Sequence, residues 1–108
     1  MSSFFIPLKG RLDVTSSQAL QTGLERMLDS LDPAPRHLIL GLEKVTFLGS
    51  AGLRLLLVLH KRCLAQGGSL VLSGVRHPAH EVLQMAGLDD VFPRYAHETE
   101  ARRALDGK

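Results

Sequence analysis

An apolar strand that runs through a Gly-Ser step straight into a leucine-rich helix, Val45-Thr46-Phe47-Leu48-Gly49-Ser50-Ala51-Gly52-Leu53, is the strongest constraint in this sequence. It puts one hydroxyl at a helix mouth. The N–H groups of a helix's first turn have no partner within the helix. Ser50 is therefore placed either to cap them or to carry an anion that they face. In the second case the serine is a switch.

The segments on either side continue the alternation. Phe4 to Leu8 reads as an N-terminal strand before the turn residue Gly10, with Pro7 marking an edge or a bulge. After Asp13, Ser16 and Ser17 are placed to cap a helix whose stripe is Leu20, Leu24, Met27, Leu28 and Leu31. Asp13 itself has two readings, a helix cap or turn residue and a partner contact. Asp32-Pro33-Ala34-Pro35 stops that helix. His37 to Leu42 reads as a buried strand, with a turn near Glu43-Lys44 before Val45. The next helix runs from about Ala51 to Gln66 and closes at Gly67-Gly68.

On a helical wheel Leu53, Leu56, Leu57, His60, Cys63 and Leu64 form that helix's core face, Leu55 and Leu59 widen it, and Arg54, Lys61 and Arg62 point away. Ser69 to Ser73 is a further strand. Pro78 near the start of His77 to Ala86, with Gly87 after it, follows the proline-first, glycine-last asymmetry of helices. Val91-Phe92 reads as a weak last strand and Glu98 to Leu105 as a short helix with acidic residues first. The whole is an α/β domain with a small, mostly parallel sheet of four to five strands and about four helices. Its first strand is free to pair antiparallel at an edge.

With 108 residues and 44% apolar composition the chain reads as a single domain, 1–108, able to bury a core without metal or disulfide. Cys63 is the one cysteine, so no internal disulfide is available and a reducing compartment is expected. No apolar run reaches the ~20 residues a bilayer needs and no signal segment is legible, so the expected location is cytoplasmic, with no membrane partner. A net charge of +2, four Phe and one Tyr argue against nucleic-acid binding.

From Gly10-Arg11-Leu12-Asp13 onward the chain resembles the STAS domain family, the domains of sulfate transporters and anti-sigma-factor antagonists. Gly10 to Asp13 resembles the family's Gly-x-Leu-Asp. Val45 to Leu53 resembles its Asp-Ser-(Ser/Ala/Thr)-Gly-Leu strand-to-helix signature, Gly67 to Leu72 its Gly-Gly-x-Leu turn and strand, and Val82 to Leu88 its later helix with a Gly-Leu ending. Two departures stand out. Gly49 occupies the place of the usual Asp, and only one strand precedes Gly10 where fuller members carry two. The exposed edge is then offered to the chain's own start or to a second copy, a homodimer.

The resemblance implies a protein that is not an enzyme and takes no cofactor or metal. It implies an anti-sigma-factor antagonist that binds a GHKL-type anti-sigma serine kinase and is phosphorylated on Ser50. The partner surface would be Asp13, Gly49, Ser50, Ala51, Gly52 and Arg54, and a PP2C-type phosphatase would reset it. Ala51 removes a second hydroxyl from the signature, while Gly52 has the bland reading of close helix packing. An alternative within the family is a non-switching subunit of an ABC-type lipid-transport complex, with Ser50 in a constitutive interface.

Other classes are weaker. A serine hydrolase would need Gly-x-Ser-x-Gly, and Leu48 stands at the first glycine position. His77 and His80 with Glu81 are too few for a metal site, and His60 is expected to be a hydrogen-bonded core residue. A nucleotide pocket at the helix mouth would have dipole physics behind it but no glycine-rich phosphate loop.

Overall fold

The computed structural model describes residues 3–106. The element order is β1 (Ser3–Leu12), α1 (Val14–Ser30), β2 (His37–Leu48), α2 (Ser50–Ala65), β3 (Leu70–Ser73), α3 (Ala79–Met85), β4 (Arg94–Tyr95) and α4 (Glu98–Asp106). The strands form one four-stranded sheet in the order β1-β2-β3-β4, and every neighbouring pair is parallel. The expected antiparallel first strand is corrected. β1 leads into α1, which crosses over the sheet before β2 begins, so β1 and β2 run the same way.

Helices cover both faces. Leu24 and Leu28 of α1, Leu55, Leu56, Leu59 and Cys63 of α2, and Ala79 and Leu83 of α3 pack with Ile6, Leu8, Leu12, Leu38, Leu40 and Leu72 in the larger core. On the other face Ala101 and Leu105 of α4 close over Ile39 and Val71. The central β2 therefore has consecutive residues buried from His37 to Leu42, as expected of a strand packed on both sides. Among the described residues no helix is long and apolar enough to cross a membrane.

Several local expectations change. The turn near Glu43-Lys44 is absent: β2 is one strand of 12 residues, and its irregularity is taken up as register shifts opposite Pro7/Lys9 and Gly10/Arg11 of β1. Pro7 marks a bulge, as the sequence suggests, and Gly10 turns the chain there at φ 75° while staying inside the strand. Val91-Phe92 is not the last strand. Phe92 is buried with its ring edge against His60, and β4 forms two residues later, where Arg94 and Tyr95 pair with Leu72 and Ser73.

The buried face of α2 is centred on Leu55, Leu56, Leu59 and Cys63, while Leu64 is 57% exposed. Leu55 and Leu59, read as widening the face, are inside because α2 meets α1 on one side and the sheet on the other. Arg62, read as pointing away, pairs with Asp29 of α1 at 2.7 Å. His60 is half-buried, its Nδ1 has no hydrogen-bond partner among the described residues, and its ring contact is edge-on with Phe92. Cys63 is a core residue, and burial pushes its thiol up to about 11.

Candidate functional site

Two strand-to-helix junctions lie side by side, because the Gly49 N–H donates to the Leu12 carbonyl at 3.1 Å. In the first, Asp13 is the N-cap of α1. Its carboxylate accepts from the Ser16 N–H and its own N–H donates to Ser16 Oγ, both at 3.0 Å, a closed capping box. The Ser16 hydroxyl also reaches the Arg11 carbonyl. Ser16 thus serves the cap from inside the helix, and Ser17 is buried in the first turn, so the expected Ser16/Ser17 cap moves to Asp13. The Ser16 N–H and hydroxyl hold the Asp13 carboxyl below its ordinary value of 3.8.

The second junction is different. Gly49, in extended geometry at φ −94° and ψ −176°, is the N-cap of α2 and has no side chain to cap with. Ser50 is the first helical residue, exposed, with no hydrogen-bond partner for its hydroxyl among the described residues. Its role as a cap, one of the two readings open from the sequence, is thereby removed. The first intrahelical bond runs from the Leu53 N–H to the Gly49 carbonyl at 3.0 Å, which leaves the amides before it without helical partners.

Phe47 occupies the ground beside Gly49. A Cβ added at Gly49 would stand 3.0 Å from Phe47 Cε2, and the Arg11 guanidinium lies 4.2 Å over the centre of that ring. The stack is a cation–π contact of about 0.5–1 kcal/mol at an exposed site. Instead of a carboxylate, this side of the Ser50 mouth therefore carries an aromatic ring and a cation.

On the other side a groove of about 750 Å³ opens between α1 and α2. Ser50, Ala51 and Arg54 form its α2 wall; Val14, Ser17 and Gln18 are on its α1 wall. Ser50 and Arg54 sit one turn apart on the same side of the helix. Arg54 is exposed and has no ion-pair partner among the described residues, and Val14 is 61% exposed.

The six residues expected at a partner surface thus divide. Ser50, Ala51 and Arg54 meet in the groove, Asp13 turns its carboxylate to its own helix, and Gly49 lies behind the Phe47 ring. Gly52 is buried, and an added Cβ would stand 2.6 Å from Leu48 Cδ1, 2.9 Å from Leu12 Cβ and 3.0 Å from the Leu12 carbonyl oxygen, so close packing is its role. Phe47, Arg11 and the α1 wall were missed in the sequence. Val14, Ser17, Gln18 and Gln21 recur at helical spacing, a signal that looks the same as any solvated helix face.

No three His, Cys, Asp or Glu side chains converge as metal ligands among the described residues. His77, just ahead of α3, pairs with Glu81 of that helix, and His80 meets Arg94.

Comparison with known proteins agrees with this architecture. The STAS domain family matches residues 2–101. An anti-sigma F factor antagonist of Paenibacillus polymyxa is 28% identical over 101 residues, 94% of this chain and 85% of that protein. The structure of an anti-sigma-factor antagonist (STAS) domain protein from Planctomyces limnophilus is 31% identical, covering 88% of this chain and 80% of its own, with a TM-score of 0.74. The anti-sigma factor antagonist SpoIIAA shares the fold in its unphosphorylated form, with TM-score 0.84 at 23% identity over 99% of this chain and 90% of its own. Its phosphorylated form, from Bacillus, shares it at TM-score 0.71 and 21% identity over 95% and 91%. With a match over nearly its full length, the strand-to-helix mouth at Ser50 included, the chain belongs to the STAS domain family.

Proposed function

We propose that this protein is an anti-sigma-factor antagonist that works by partner switching. In its unphosphorylated form it binds a GHKL-type anti-sigma serine kinase through the Ser50 mouth and the α1–α2 groove, releasing the kinase's client. The kinase then transfers the γ-phosphoryl of ATP to Ser50 Oγ: the O–P bond to the serine forms, the β–γ bridge breaks, ADP leaves and the hydroxyl proton passes to a base on the kinase. A PP2C-type phosphatase hydrolyses the phosphoserine and restores the binding form. The domain itself is a binding module and contributes no catalytic group.

The observation that carries this reading is the free Ser50 hydroxyl: exposed, first in its helix and bonded to nothing among the described residues. A serine retained for stability would sit at the cap and bond the helix amides. This one stands where a phosphoryl donor reaches it, and an added phosphate would face the open end of the α2 dipole. Similarity to the Paenibacillus antagonist adds the class of partner.

The test is intact-protein mass after incubation of wild type and Ser50→Ala with ATP and each candidate anti-sigma kinase of the organism, beside a pull-down with each. A gain of about 80 Da confined to wild type is the expected result. Gly49 favours a second reading, the non-switching subunit of an ABC-type lipid-transport complex, because no carboxylate precedes the serine. Failure to bind any kinase, together with stable binding to an ABC ATPase by both wild type and Ser50→Ala, would select it.

A further inference from the structure

We propose that Arg54 is the residue that reads the state of Ser50: once phosphorylated, Ser50 turns its phosphate into the α1–α2 groove and pairs with the Arg54 guanidinium across the open mouth of α2. This inference rests on Ser50 being the modified residue.

Four observations place the phosphate there. Arg54 follows Ser50 by four residues, the spacing at which helical side chains are neighbours, with the anion on the N-terminal side as the dipole prefers. Both side chains are exposed on the same groove and neither has a partner among the described residues, so neither must break a bond to meet the other. The α2 mouth has no side-chain cap competing for its free amides. In the groove's α1 wall Ser17, 3% exposed, has an Oγ with no hydrogen-bond partner among the described residues, a donor that an acceptor in the groove would satisfy.

The charges around the mouth agree. Arg11 lies over Phe47 beside Gly49 and pairs with the Asp13 carboxylate at 3.9 Å, and that carboxylate is also tied to the Ser16 N–H and hydroxyl at the head of α1. A carboxylate at position 49 would have repelled the phosphate from the adjacent residue; glycine removes that repulsion. Phosphorylation then does more than add charge. It withdraws Arg54 from the surface offered to a partner and turns the groove from cationic to anionic.

The experiment installs phosphoserine at position 50 by genetic-code expansion in the full chain, so that no kinase is needed. Wild type, Arg54→Ala and Arg54→Lys are compared, each with and without the phosphate. Phosphorus NMR follows the second ionisation of the phosphoserine in the folded protein and in urea. In folded wild type the phosphate binds its last proton about threefold more weakly than in urea, the combined effect of the dipole and one helical ion pair. Arg54→Ala removes a large part of that difference and Arg54→Lys keeps most of it.

The linkage has a matching sign. A phosphate whose folded pKa is lowered stabilises the fold above its unfolded value of about 6 and loses that effect as pH falls through the folded value. The melting gain on phosphorylation is therefore larger at neutral pH than in mild acid, and smaller in Arg54→Ala. Equal phosphate titration in wild type and Arg54→Ala, whether shifted from the urea value or not, overturns the proposal. Kinase transfer to Ser50 is scored separately. A shifted phosphate on a serine that no kinase modifies sinks the switching function and leaves the groove chemistry standing; an unshifted phosphate on a serine that a kinase does modify sinks only the role of Arg54.

Discussion

The heads of α1 and α2 are neighbours joined by a backbone hydrogen bond, and they are built oppositely. Asp13 closes the first with a capping box in which donors and acceptors answer one another. Gly49 leaves the second without a side-chain cap, and the hydroxyl next to it stays unused. The closed head fixes the chain between β1 and α1, and the open head keeps amides, a free serine and a free arginine available to something outside the domain. The contrast teaches that a serine at a helix mouth gains meaning from whether the neighbouring residue already does the capping, or leaves it undone.

The largest effect expected is at the seam between the two heads. Gly52→Val forces a branched side chain against Leu48 and the Leu12 main chain, whose carbonyl is itself engaged by Gly49. Overpacking of this kind costs about 1–3 kcal/mol. A urea unfolding midpoint clearly below that of wild type is expected, and a midpoint equal to wild type would show that the seam gives way and the two heads are not locked together.

Next is the closed head. Asp13→Ala removes both cap and charge and lowers the melting temperature, whereas Asp13→Asn keeps a capping oxygen and gives a smaller loss. The carboxyl's folded pKa lies below 3.8, so its contribution is present above that value and is lost as pH falls through the folded pKa. Melting curves of wild type and Asp13→Asn therefore converge in acid. A gap that persists at low pH would mean that the charge of Asp13 is not what separates them.

What was legible in the sequence follows the same division between local and distant causes. The α/β alternation, the helix ending at Gly67-Gly68 and the bulge at Pro7 each depend on a residue type acting where it stands, and each is found. The continuity of β2 through Glu43-Lys44 was not, because those two polar residues look like a turn until β2 is seen to carry an extra residue at each register shift against β1. Burial of Leu59 in place of Leu64 depends on the line along which α1 crosses α2, which no wheel contains. At the site, Ser50 and Arg54 were visible as a motif and a charge. The Phe47–Arg11 stack was not, since its members are 36 positions apart in the chain and meet only when β1 pairs with β2.

Gly49→Asp converts the open head into a copy of the closed one. The backbone at φ −94° accepts any residue, and the Phe47 ring edge must move by a few tenths of an ångström to admit a Cβ. Glycine caps almost as well as aspartate, so the gain is only a few tenths of a kcal/mol, and the displaced ring offsets part of it. Stability therefore barely changes. The charge at the mouth does: a carboxylate facing the Arg11–Phe47 stack should make the variant's phosphoserine bind its last proton more tightly than wild type's in the same NMR titration. An unchanged titration would mean that position 49 does not feel the site.

Ser50→Ala is expected to have the smallest effect on the fold and the sharpest on the comparison. A serine acting as the cap of α2 would cost about 0.5–2 kcal/mol on truncation. Ser50 is instead the first residue inside the helix, exposed and unbonded, and alanine is the better helix former there. Unfolding in urea should place the variant within about 0.5 kcal/mol of wild type. A loss well beyond that would return Ser50 to a structural role and remove the contrast between the heads. Near-equality would leave a hydroxyl that the fold does not need, held at a mouth where only a partner or a phosphoryl donor has use for it.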